Sequence, residues 1–183
     1  MNMSKQKNQF KALRRQAGFT MMELLVAVLV MGVGVLGVTG LQLVSLQNNQ
    51  AALLRGEAVQ LAYDVLDRIR VNPGAGVAGI AYDGVDIGDD PAAPNDCIAN
   101  NCATAQMTAF DVAVWKCSLG GYNTEETCED LRDTDALPTD LEQPGLPNGD
   151  GSIEVDANGI ITVTVQWNGF NNQLQTISIS SQG

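Results

Sequence analysis

One acid, Glu23, stands at the start of a long apolar segment, where a charged group is costly. No charged residue occurs from Leu24 to Leu54, and residues 24–44 are almost wholly apolar. About 20 such residues suffice to cross a bilayer as a helix. A carboxylate near the bilayer costs roughly 2–3 kcal/mol on insertion scales unless it is paired. The presence of Glu23 therefore suggests a function.

The charges of the chain divide at Gly18. The residues before it carry five bases and no acid, whereas the rest carries five bases and all 21 acids, a net charge of −16. The positive-inside rule keeps the basic end in the cytoplasm, so the part beyond the apolar segment is predicted to be exported. Its acidity argues against direct binding to nucleic acid, which needs clustered Lys and Arg. The leading bases are Lys5, Lys7, Lys11, Arg14 and Arg15.

Four cysteines, Cys97, Cys102, Cys117 and Cys128, lie in the exported part. An even number of cysteines in an exported domain predicts disulfides, and four cysteines allow three pairings. We favour Cys97–Cys102 with Cys117–Cys128, because both bonds close short local loops. A zinc site is the alternative, but the chain has no C-x-x-C pair and no histidine.

The residues around Gly18, where the basic leader meets the apolar segment, resemble the class III signal of type IV pilins and pseudopilins. They read Gly18-Phe19-Thr20-Met21-Met22-Glu23-Leu24-Leu25 and follow a basic leader. An ordinary secretory signal has a shorter apolar core and a small-residue cleavage site, and a plain single-pass anchor does not account for Gly18 or Glu23. The resemblance implies that a prepilin peptidase cuts between Gly18 and Phe19, that Phe19 is then N-methylated, and that Glu23 contacts the terminal amine of a neighbouring subunit.

The resemblance also implies an order of regions along the chain. Residues 1–18 are the expected leader, 19–45 the transmembrane half of a long helix, 46–72 its amphipathic half, and 73–183 a periplasmic globular domain. The protein is expected in the inner membrane, among its lipids, with a cytoplasmic N-terminus, and then in a pilus. Expected partners are the peptidase, other minor pilins and the major pilin. No cofactor or metal is expected, and no residue set proposes an enzymatic reaction.

The amphipathic half is predicted from its periodicity. Apolar residues recur at i, i+4, i+7, i+11 and i+15, Asp64 and Arg68 form an exposed i,i+4 pair, and Asn72-Pro73-Gly74 ends the helix. The apolar stripe should pack the globular domain. Four glycines interrupt the apolar half. Gly34, Gly37 and Gly40 could form a face for close helix packing, or the glycines could let the helix melt locally. The stripe is Leu54, Ala58, Leu61, Val65 and Ile69, and the glycines are Gly32, Gly34, Gly37 and Gly40.

The middle of the chain is predicted to hold a long loop and one more helix. Residues 73–103 form the loop, with possible short strands around Ile80-Ala81-Tyr82. Its acids do not have the spacing or the glycine of an EF-hand, so a solvated acidic loop is favoured over a calcium site. Thr104–Leu119 is predicted to be a helix that Gly120 caps, and residues 123–151 a turn-rich segment. The acids are Asp83, Asp86, Asp89 and Asp90; the helix's apolar face is Met107, Phe110, Val114 and Trp115.

The C-terminus predicts antiparallel strands. They cover residues 152–155, 160–167 and 173–180, with turns at 156–159 and 168–172. Ile161, Val163, Val165 and Trp167 alternate and should point inward. The predicted fold class is α+β and pilin-like, with a long N-terminal helix packed against a small antiparallel sheet.

Within the pilin family, the chain is most similar to the minor pilin PilV, the type IV pilus modification protein. The similarity is carried by residues 36–42, by residues 62–73, and by Asp111 with Trp115 and the later stretch 146–151. It implies a minor pilin that takes part in pilus assembly, as a priming or tip component, and supports motility or adhesion. A minor pseudopilin of a type II secretion system and a tip adhesin or ligand-binding pilin are the alternatives.

Overall fold

A single helix, α1 (Met21–Val71), dominates the computed structural model, which describes residues 18–72, 81–137 and 145–182. The chain divides into two compact units, Met1–Ser45 and Leu46–Gly183. The helix is unbroken through its glycines, so the expectation of local melting is not met in the structure. The predicted stop at Pro73 and Gly74 lies outside the described residues, but α1 ends at Val71 as expected.

The second half of α1 supplies one wall of the main core. Its predicted stripe is confirmed, because Ala58, Val65 and Ile69 are buried and Leu54 and Leu61 are partly buried against the core. Ala62 and Leu66 widen this face. Burial of apolar surface of this kind is worth about 25 cal/mol per Å², so tertiary packing, rather than intrinsic helix propensity, holds this half of α1 in place.

The opposite wall is a three-stranded antiparallel sheet in the order β1 (Asp150–Val155), β2 (Ile160–Asn168), β3 (Leu174–Gln182). All three strands were predicted, with ends within two residues. The predicted alternation in β2 is confirmed, since Ile161, Val163, Val165 and Trp167 are all buried. Together α1 and the sheet form the α+β, pilin-like arrangement that the sequence predicted.

Helix α2 (Thr104–Leu119) begins and ends where it was predicted, and Gly120, with a φ of 101°, ends it. Its predicted apolar face is wrong in one respect. Phe110 and Val114 belong to a second, smaller core, whereas Trp115 is buried in the main core and its indole Nε1–H donates to the Leu61 carbonyl at 3.0 Å. Trp115 lies about 100° round the helix from Val114, so α2 presents apolar residues to two cores rather than one.

A short helix, α3 (Glu126–Asp133), lies in the segment that was predicted to be turn-rich, and the sequence did not predict it. Cys128 and Leu131 point into the second core and the remaining positions are mostly charged. Eight residues with two buried positions give too short a pattern for periodicity to reveal. The packing of Cys128 against α2 therefore determines that this segment is helical.

The acidic loop contacts the first strand of the sheet. Val85 pairs with Ile153 of β1, and the Val155 amide donates to Asp83 Oδ1 at 2.8 Å. The expectation of a strand around Tyr82 is wrong for its described residues: Ala81 and Tyr82 lie in a helical turn, and Ile80 is outside the described part. Tyr82 is instead fully buried, because its ring fills the main core and its hydroxyl has polar partners there.

Candidate functional site at the N-terminal helix

The start of α1 is capped by a threonine. The Glu23 amide donates to Thr20 Oγ1 at 3.2 Å, and the Leu24 amide donates to the Thr20 carbonyl at 3.2 Å. A threonine cap satisfies donors that the first helical turn leaves free. Phe19 precedes this cap and is 82% exposed, so the predicted cleavage bond between Gly18 and Phe19 lies just outside the helix.

Glu23 lies in the first turn of α1, exposed and near the positive end of the helix dipole. It has no ion pair with any residue in the described ranges. A single carboxylate at the head of an apolar helix is suited to pair with a cation, and the described residues around Glu23 offer none.

The apolar half of α1 is not covered by any other part of the chain that the structure describes. By length and composition it could cross a membrane. Its large apolar side chains, from Met21 to Val44, are all more than half exposed. An apolar surface of this size is not stable in water and marks a membrane or protein contact. The predicted glycine positions are equally open: a Cβ added at Gly32, Gly34, Gly37 or Gly40 would meet no atom within 4 Å. That surface can accept a close helical neighbour.

The end of α1 is fixed by a buried polar network. The Asn72 side-chain amide donates to the Tyr82 hydroxyl at 3.0 Å and to the Thr108 hydroxyl at 3.3 Å, and the Tyr82 hydroxyl donates to Asp111 Oδ2 at 2.7 Å. Arg68 reaches the same carboxylate at 3.4 Å while also pairing with Asp64 at 2.8 Å, as its spacing predicted. Burial, together with the nearby Asp111 carboxylate, raises the pKa of Tyr82 to about 12.

A second polar network, absent from the sequence predictions, centres on Asp150. Its carboxylate accepts from the Lys116 ammonium at 2.7 Å, the Gly88 amide at 2.6 Å, the Gly151 amide at 2.7 Å and the Tyr122 hydroxyl at 3.0 Å. Lys116 is 1% exposed and also donates to the Asp86 carbonyl at 2.7 Å. Burial, then the Asp150 carboxylate, raise the pKa of Tyr122. Every charge here is compensated inside the domain, which indicates a structural role.

One signal could have identified this network from the sequence. Lys116 stands between Trp115 and Cys117, on the part of α2 that must be buried, and a buried lysine requires a carboxylate or carbonyl partner. The sequence does not say which of the many acids supplies it. Asp150 is placed opposite Lys116 only when the stretch before β1 folds back over the end of α2.

That fold-back is made by residues 145–151. The Leu146 amide donates to the Leu119 carbonyl at 2.8 Å, and the Gly121 amide donates to the Gly149 carbonyl at 2.9 Å. At Gly151 an added Cβ would lie 2.6 Å from Trp115 Cη2. The stretch therefore needs glycine because another chain segment or ring occupies the space of a side chain.

The cysteines are joined as Cys97–Cys102 and Cys117–Cys128, the pairing that the sequence favoured, with Cα atoms 5.5 and 5.4 Å apart. The second bond ties α2 to α3 and both of its cysteines are fully buried. The first closes the end of the acidic loop. Across the described ranges, no group of three or more Cys, Asp or Glu side chains is arranged to hold a metal ion.

Comparison with protein families gives two matches that adjoin. Residues 13–39 match the prokaryotic N-terminal methylation motif, and residues 40–113 match the Tt1218-like family, described as type IV pilin Tt1218. No curated protein and no solved structure matches the chain. The first match contains Gly18, Phe19 and Glu23, and the second contains the end of α1 with its network through Asp111. Residues 13–113 are therefore similar to an N-terminal methylation motif followed directly by type IV pilin sequence.

Proposed function

We propose that the chain is a minor pilin that takes part in assembly of a type IV pilus, as a priming or tip component, and so supports motility or adhesion. The observation that carries the proposal is the bare apolar half of α1, headed by Glu23 and lacking any other charge up to Arg55. A surface of this kind suits a subunit that is held in a membrane and is then withdrawn into a bundle of similar helices.

Processing would create the group that Glu23 lacks. A prepilin peptidase would cut between Gly18 and Phe19, remove the five basic residues of the leader, and leave a methylated amine on Phe19. Glu23 of one subunit would then pair with this amine on a neighbour. In an apolar bundle an unpaired carboxylate is costly, so the pair would favour one axial register over others.

The proposed location of each part of the chain follows from its division into leader, apolar half of α1, amphipathic half and globular domain. Before assembly the leader, residues 1–18, would face the cytoplasm, residues 19–45 would cross the inner membrane among its lipids, and residues 46–72 and 73–183 would lie in the periplasm. Other minor pilins and the major pilin would then replace the lipid around α1. The acidity of the exported part gives no reason to expect nucleic acid as a partner.

The assignment to the PilV group of minor pilins is supported by how its motif residues meet. Arg68 and Asn72, from the stretch that ends α1, contact the same small network as Asp111 of α2. The third stretch supplies Asp150, which binds Lys116 next to Trp115. Segments that are distant in sequence, and that were singled out for their similarity to PilV, therefore meet in two buried networks.

Deletion of the gene tests the role. We expect fewer surface pili and reduced twitching, counted by electron microscopy and on agar, while secretion of exoproteins continues at its normal level. The intact gene supplied in trans should restore both. Loss of exoprotein secretion with normal piliation would contradict the proposal and would favour a type II secretion pseudopilin.

A further inference from the structure

A groove of about 490 Å³ lies between α1 and the turn that joins β2 to β3. One side is the α1 stretch from Ala51 to Arg55, and the other is the turn with the first residues of β3. We call it the Arg55 groove. Its polar lining includes Arg55, Asn171, Gln173 and Gln175, and its apolar lining includes Trp167 and Phe170.

Arg55 differs from the other four basic side chains beyond Gly18. Arg68, Arg70 and Lys116 each form an ion pair within the domain, and Arg132 donates to the Asn123 carbonyl. In the parts of the chain that the structure describes, Arg55 is exposed and has no ion pair. The helix positions one turn away hold no acid either; they are Ala51, Ala52, Ala58 and Val59.

The surroundings of Arg55 are neutral, although the exported part as a whole is strongly acidic. Residues 157–183, which include β2, the turn and β3, contain no charged residue. A polypeptide that carries carboxylates would be repelled by most of this domain. At the turn between β2 and β3 it meets the positive charge of Arg55, whereas Arg70, at the other end of β3 beside Ser181, is already paired with Asp67. Complementary charge in a neutral setting selects and orients a partner.

The turn presents an aromatic ring beside that charge. Phe170 is 55% exposed, and Leu174 at the start of β3 is 61% exposed. The turn is held by a hydrogen bond of 2.8 Å from the Gly169 amide to the Gln173 carbonyl, with Asn171 and Asn172 at φ of 59° and 60°. A large ring on an ordered turn is a good anchor for a partner, because little conformational entropy is lost when it is covered.

The neighbouring strand can also offer main-chain hydrogen bonds. Within the described residues, β3 pairs only with β2, so it is an edge of the sheet. It is nine residues long and has neither charge nor proline, the devices that usually protect an edge. An extended segment could therefore add along β3 with one end at the Arg55 groove.

We propose that the Arg55 groove binds an extended segment of another pilin subunit, with a carboxylate of that segment on Arg55 and an apolar side chain on Phe170. The proposal rests on the proposed function, because it takes its partner from the same filament. It adds a contact in the exported domain to the one at Glu23.

Photo-cross-linking of the full-length chain in its own cells tests this. The probe is p-benzoylphenylalanine at position 170, with position 63 on the exposed side of α1 as the control site. We expect a cross-link from position 170 to a pilin peptide with Asp or Glu within a few residues. Arg55→Gln should lower its yield about threefold to fivefold, as for loss of a partly exposed ion pair, while Arg55→Lys keeps most of the yield.

The control is Arg70→Gln, which makes the same change in net charge at the opposite end of β3, where Arg70 donates to Ser181, and should leave the yield unchanged. The proposal is overturned by an absent cross-link at position 170, by a cross-linked peptide that lacks an acid, or by a yield that Arg55→Gln does not lower. Recovery of the Arg55 variants in sheared pili separates the two proposals. If they are incorporated normally but the cross-link result is negative, the groove proposal fails and the proposed function stands.

Discussion

At the scale of single residues, the interior of the domain depends on a few polar groups whose partners are complete. Asp150 accepts four hydrogen bonds and Lys116 is buried against it. Removal of one member of a buried ion pair leaves the other charge without compensation, which costs more than the intact pair contributes. These residues are therefore expected to matter for stability rather than for chemistry.

Replacement of Asp150 by Ala should lower the free energy of unfolding by about 3–5 kcal/mol, because the buried Lys116 ammonium loses its counter-ion. Lys116→Met should cost less, since Asp150 keeps its two amide donors and the Tyr122 hydroxyl. Urea unfolding of the full-length protein in detergent measures both. Glu154→Ala, at an exposed acid on the same strand, is the control and should shift stability by no more than about 0.5 kcal/mol. Equal effects at Asp150 and Glu154 would contradict the buried network.

The raised pKa of Tyr82 predicts that the stability of the domain falls at alkaline pH. Its folded-state pKa is raised to about 12 from an ordinary value of 10.0, so the neutral form is favoured in the folded state. The contribution of this group to stability is complete below pH 10 and is lost as the pH rises from 10 towards 12. Tyr82→Phe should make the fall in the urea midpoint over this range shallower. An unchanged slope would show that Tyr82 is not the group responsible.

Sequence reasoning found some of these residues but not their partners. The i,i+4 spacing of Asp64 and Arg68 is local, so their ion pair could be predicted. The contact of Arg68 with Asp111, and that of Lys116 with Asp150, joins residues 43 and 34 positions apart. Such contacts depend on how α2 packs against α1 and on the fold-back of residues 145–151. Neither depends on a pattern within one segment.

At the scale of elements, α2 and α3 form a unit with its own small core and its own disulfide. Phe110 and Val114 of α2 pack with Leu131 of α3 around the Cys117–Cys128 bond. Helix α3 has only eight residues, fewer than an isolated helix needs in water. Its persistence should depend on the bond to α2.

The two disulfides should therefore differ in their effect on stability. Cys117→Ala with Cys128→Ala should lower the free energy of unfolding by about 3–5 kcal/mol, because the variant loses a loop constraint and two fully buried side chains. Cys97→Ala with Cys102→Ala removes a bond that closes a shorter loop at a more exposed site, so a loss of about 2 kcal/mol is expected. Thermal unfolding followed by circular dichroism compares them. A larger loss for the Cys97–Cys102 variant would contradict this ranking.

Elements with a long or regular pattern were predictable, and short ones were not. The apolar stripe along α1 and the alternation in β2 each repeat often enough to determine both the type of secondary structure and the side that is buried. Trp115 was predicted to share one face with Val114, but α2 is buried on two sides, so a single apolar face describes it poorly. Helix α3 carries two buried residues in eight, so only its contact with α2 distinguishes it from a polar turn.

At the scale of the whole molecule, charge and apolar surface are separated along the chain. The chain after Gly18 has a net charge of −16, yet the apolar half of α1 beyond Glu23 and the strands β2 and β3 are uncharged. These uncharged surfaces are where a neighbouring subunit can approach without repulsion. Glu23 and Arg55 stand as single charges of opposite sign at the two ends of the uncharged part of α1.

Replacement of Glu23 by Ala should allow cleavage but impair incorporation into pili. The apolar helix would still enter the membrane, but it would lack the carboxylate that pairs with the amine of a neighbour. Immunoblots of membranes and of sheared pili measure the fraction of the chain that is incorporated into pili. The control is Glu154→Ala, which removes an exposed acid of the domain. Normal incorporation of the Glu23→Ala protein would refute the register argument while leaving the processing site intact.

Mass spectrometry of the N-terminus of the chain recovered from sheared pili is the most direct test of the central claim. The account predicts a polypeptide that begins at Phe19, carries one methyl group on its amine, and retains both disulfides. An N-terminus at any other residue, an unmethylated Phe19, or absence of the chain from the pili would contradict it.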